Sequence, residues 1–146
     1  MGARLYFVFL FILFQGLSPD AIHAQSLIGK WEGTSHGEPG MMTFDKKGYI
    51  TFIIDNEPMG GKKFTESGVE LSMKYEFNDK VEPHTLDFVL MPADESMEFS
   101  RMLGIYKFIN PKTLIINMDF DGKARPQEFD PDDVNQIALS KIKGKG

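Results

Sequence analysis

The chain has no cysteine, so neither a disulfide framework nor thiol chemistry is open to it. It has no Asn-x-Ser/Thr sequon, which removes N-glycosylation. Tryptophan occurs once, as Trp31, and beyond residue 24 the only arginines are Arg101 and Arg125. No stretch carries the apolar stripe of an amphipathic helix, which argues against a helical bundle. Long apolar runs are missing as well, with one exception. Leu5 to Leu17 is continuous for 13 residues, short of the roughly 20 that cross a bilayer. The formal net charge is −5, and an acidic chain gains nothing from phosphate backbones or anionic headgroups. Nucleic acid is therefore not expected as a partner.

The one apolar run sits where export machinery reads it. A basic start ending at Arg4 precedes it, and a polar segment closing on Ile22-His23-Ala24 follows it. Residues 1–24 are accordingly expected to be a signal peptide cleaved near Ala24, and 25–146 a single domain of about 122 residues. No cysteine follows the run to take an acyl anchor. The expectation is a protein released into a periplasm or extracellular space, with no stable membrane insertion after cleavage. The sequence leaves its oligomeric state open.

Period-two alternation dominates the remainder. Val69, Leu71, Met73, Tyr75 and Phe77 alternate with Glu70, Ser72, Lys74 and Glu76, as in a strand with one wet face. Turn residues separate such runs, and the strands read as 27–35, 41–45, 49–55, 62–67, 69–77, 84–91, 100–109, 113–120 and 135–142. The fold class is all-β, an up-and-down antiparallel barrel of about 8–10 strands. Nine runs cannot close antiparallel if each reverses the chain. Either 62–67 is loop, giving eight strands, or Ala124 to Phe129 is a further strand, giving ten.

The domain opens with Leu27-Ile28-Gly29-Lys30-Trp31, and Gly-x-Trp at the head of a first strand resembles the start motif of lipocalins, of the calycin type. A late Arg125-Pro126-Gln127-Glu128-Phe129 is similar to small exported bacterial lipocalin-like domains. The resemblance implies a barrel-end cap in which Gly29 and Trp31 close the barrel and an arginine lies over the indole. Counting chain reversals through all the runs before Asp121 brings the loop holding Arg125 to that end, so Arg125 is the expected cation.

Chemistry-bearing patterns are sparse. His36 and His84 are the only histidines beyond residue 24, too few for a metal site, and Asp119, Asp121 and Gly122 make only half of a calcium loop. No Gly-x-Ser-x-Gly elbow is present, so no nucleophilic enzyme, metal or cofactor is expected. Methionine is abundant, with nine in the chain, and suits an adaptable apolar cavity as well as a core. If the barrel is hollow, the strand faces give Phe52, Ile54, Met73, Tyr75, Phe88, Tyr106 and Met118 as lining. The loops around His36, Met59 and 78–83 would form the mouth, with Pro58-Met59-Gly60-Gly61 as a lid. The expected function is binding of a small apolar or amphipathic ligand. The alternative is a solid-core interaction module, such as an inhibitor of an exported enzyme or an envelope assembly component.

Overall fold

The computed structural model describes residues 26–35 and 37–143; the expected signal peptide lies outside them. Alternation places Leu114, Ile116 and Met118 in the core from one strand, and nine strands form among the described residues. They are β1 (Gly29–Ser35), β2 (Glu38–Phe44), β3 (Ile50–Ile54), β4 (Glu57–Glu66), β5 (Val69–Asn78), β6 (His84–Pro92), β7 (Ser100–Asn110), β8 (Thr113–Asp119) and β9 (Gln136–Lys141). There is no helix among the described residues. Each strand pairs antiparallel with the next, and β9 returns to β1 with Gly33 opposite Leu139, closing an up-and-down barrel consistent with the calycin type. Its interior is apolar while β5 turns Glu70, Lys74 and Glu76 outward, the reverse of a membrane-spanning barrel.

The odd strand count is resolved inside β4, and neither expected remedy applies: 62–66 is strand, not loop, and Ala124 to Phe129 is not strand. Residues Glu57 to Gly60 pair with β3, whereas Gly61 to Glu66 pair with β5. Between these arms the chain corners at Gly60 and Gly61, with φ of 109° and 85°. A side chain at Gly60 would collide with the Ile50 carbonyl, so only glycine turns there. Below the corner β3 and β5 meet directly, through a Tyr49 to Lys74 bridge and a Tyr75 N–H donating to the Gly48 carbonyl at 2.9 Å. β4 is thus a wedge between two strands that touch at one end of the barrel. Its corner adds one reversal, which makes β9 antiparallel to β1.

That end is closed. Leu27 is buried beneath Trp31, whose Nε1–H donates to the Leu27 carbonyl at 2.8 Å. Edge and tilted aromatic contacts run on from Trp31 through Phe108 and Tyr106 to Phe77. The opposite end carries the β1–β2, β3–β4, β4–β5 and β6–β7 connections and the long segment 120–135. That segment folds back as a strap over the outer face of β6, β7 and β8. Arg125 bonds Asp87 and the Gly104 carbonyl, Asn117 Nδ2 donates to the Glu128 carbonyl at 3.1 Å, and Lys107 Nζ stands 4.4 Å from the Phe129 ring centroid.

Candidate ligand-binding mouth

Inward positions on β1 and β2 lose bulk toward the end opposite Trp31. Trp31 and Met42 face each other across the two strands, and one inward step further the facing pair is Gly33 and Gly40. A side chain at Gly33 would press into the Ala138 carbonyl, so β1 and β9 pack closely there. A Cβ at Gly40 would make only ordinary contacts, at 3.4 Å to the Ile53 carbonyl oxygen and 3.7 Å to Ile54 Cγ1. The two glycines border a hollow of about 230 Å³ walled by Met42, Phe52, Ile54, Ile137 and Leu139, with Ser35 and the exposed Glu38 beside it. A neighbouring hollow of about 310 Å³ shares Met42, Phe52, Ile54 and Ile137 and adds Met59, Met102 and Phe120. Its walls are almost wholly apolar and three of them are methionine, which adapts to irregular shapes.

Of the residues expected to line a cavity, Phe52 and Ile54 do so. Met73, Phe88, Tyr106 and Met118 are buried in the packed core and fill it. Tyr75 is half-buried near the closed end, its ring 4.9 Å from Phe44 edge-on and its hydroxyl donating to the Asp45 carbonyl at 2.8 Å. Phe88 and Phe52, 5.2 Å apart, mark where filling gives way to lining. Among the expected mouth segments, Met59 is present at the hollow, His36 lies outside the described residues, and 78–83 joins β5 to β6 at the closed end instead. Pro58-Met59-Gly60-Gly61 is strand and corner, not lid. The cavity makers that sequence reading passed over are Gly33 and Gly40, and their signal was two glycines at inward positions of strands.

The cap also differs from expectation. The cation over Trp31 is Lys141, with Nζ 5.3 Å from the indole centroid, and Gly29 holds a φ of 136° that strains any residue with a side chain. Arg125 is engaged elsewhere, because the corner in β4 reverses the parity of every later loop. Phe120, at the root of the strap, accordingly stands at the mouth with Ile54 and Met59.

Other ionisable groups are tied into the outer surface. Burial acts to raise the Asp87 carboxyl, but bonds from Arg125 and Arg101 outweigh it and hold the group below the usual carboxylate range. Glu95 is lowered by the Tyr49 hydroxyl, which donates to it at 2.8 Å, with Lys74 and Ser72 adding to the effect. Burial, with Asp79 and Glu82 nearby, pushes the Tyr106 hydroxyl up to about 12, so it stays protonated. Among the described residues no cluster of three or more His, Cys, Asp or Glu is placed to hold a metal ion. Asp119 instead accepts the backbone N–H groups of Asp121, Lys123 and Ala124, a local turn. No family model, no curated protein and no solved structure matches the chain.

Proposed function

We propose that the protein is an exported, lipocalin-like barrel that takes the apolar part of a small amphipathic molecule into its mouth. The observation that carries this reading is the facing Gly33 and Gly40 pair, which borders an apolar hollow left open beside the Gly40 backbone. Ligand pockets generally run from about 300 Å³ upward, so volumes of about 230 and 310 Å³ suit one ring or a short chain rather than a bulky lipid. Glu38 beside the hollow, and the exposed Asp55 and Glu57 on the neighbouring hairpin, favour a ligand whose polar part is neutral or cationic. The solid lower barrel favours the rival reading, an interaction module that works through its surface.

Gly40→Leu separates the two. Its Cβ meets the Ile53 carbonyl oxygen only at the ordinary contact distance of 3.4 Å, with the hollow beside it. In a titration with a cationic, environment-sensitive apolar dye, the wild type should give saturable enhancement and Gly40→Leu a roughly tenfold weaker one, with the thermal melt preserved. No saturable binding by the wild type, or equal binding by the variant, overturns the proposal. Native mass spectrometry of protein purified from its host then reads the mass of whatever molecule it carries.

A further inference from the structure

We propose that the closed end of the barrel docks on the surface of a bilayer containing anionic lipids. The formal charge of −5 belongs to the whole chain, and its distribution is uneven. The segments gathered at the closed end carry Lys30, Lys46, Lys47, Lys80, Lys112 and Lys143, all exposed. Lys80 lies 3.9 Å from Asp79; the other five make no ion pair among the described residues. Asp45, Asp79 and Glu82 oppose them in the same segments, and Glu76, beside Phe77, is tied to Arg101 at 2.8 Å. The acids concentrate at the mouth and on the strap, where Asp121, Asp130, Asp132 and Asp133 stand.

The same end exposes apolar side chains. Ile28, Phe77, Val81 and Ile109 are between 39 and 59 % exposed. Phe77 is backed by Tyr106, with centroids 6.4 Å apart, and Tyr106 by His84, whose Nδ1 is 2.9 Å from the Val81 carbonyl oxygen. Apolar tips ringed by unpaired lysines match the boundary between acyl chains and anionic headgroups: the tips enter the boundary and the ammonium groups meet phosphate. A nucleic acid would use the lysines but leave Ile28, Val81 and Ile109 without a partner, so lipid is the better match. The mouth then faces away from the membrane. The proposal stands independently of what the mouth holds.

Sedimentation with vesicles of phosphatidylcholine, alone or with added phosphatidylglycerol, tests it on protein purified from its host. Binding is expected only with phosphatidylglycerol present and should disappear near 1 M salt, where screening shortens to about 3 Å. Lys112→Gln and Lys46→Gln should each weaken it roughly fivefold. Val81→Ser and Ile109→Ser should weaken it with unchanged thermal melts, while Ile54→Ser at the mouth leaves it intact. Equal binding to both vesicle types, as a retained apolar leader would give, overturns the proposal. So does indifference to the closed-end substitutions, a preference for duplex DNA over vesicles, or pelleting without vesicles by association of basic ends with acidic mouths.

Discussion

Asp87 is held by both arginines that follow residue 24. Its side chain is 10 % exposed, Arg101 reaches it at 3.0 Å, and Arg101 also bonds Glu76 at 2.8 Å and Glu98 at 2.7 Å. Because its carboxyl lies below the ordinary range in the folded chain, its contribution to stability is present above that range and is lost as pH falls through the lowered value. Arg125→Ala should therefore cost about 1–3 kcal/mol at neutral pH, and the gap to wild type in thermal melts should narrow below about pH 4. A gap that stays constant across pH would assign the loss to the strap's other contacts. Gly29→Ala should cost about 1–3 kcal/mol, since φ is 136° and the new Cβ displaces Lys141 from Trp31. Sequence picks out Gly29, Trp31 and Arg125 as residues with a fixed place, but not their partners. Asp87 reads as an ordinary outward residue of β6, and Lys141 as one more solvated lysine. Only the register that sets Trp31 opposite Lys141 reveals the latter.

At the scale of elements, strands such as β5 and β8 are legible because their apolar residues recur every second position. The two-residue turns Asp55-Asn56 and Ser67-Gly68, all at positive φ, are legible from their chemistry. The first arm of β4 is not. Pro58, Gly60 and Gly61 carry turn signals, and a strand that corners obeys no single alternation. That one hidden corner misplaced the strap, and with it Arg125. The corner and the hollow make opposite predictions for the same chemical change. Gly60→Ala forces a Cβ against the Ile50 carbonyl at positive φ and should cost about 2 kcal/mol or more. Gly40→Ala meets only ordinary contacts and should be neutral or stabilising by about 0.5–1 kcal/mol. Chemical denaturation of the two variants side by side reads the difference; equal losses would remove the corner as the point of constraint.

The molecule as a whole has two unlike ends, and neither composition nor net charge reveals them. Lysines scattered over residues 30, 46, 47, 80, 112 and 143 look evenly dispersed along the chain until the topology collects them. The proposed export, read from residues 1–24, predicts that N-terminal sequencing of protein from the envelope or medium begins at Gln25; a chain still starting at Met1 would remove that step. The wedge of β4 also governs the girth of the barrel. Eight strands ring the closed end, where β3 touches β5, and the two arms of β4 join the ring only above that contact. With neighbouring strands about 4.8 Å apart, two added arms lengthen the circumference by roughly 10 Å and widen the bore by about 3 Å. The barrel is therefore a cone. Side chains of ordinary size pack its narrow end solid, and they fall short of the axis at its wide one.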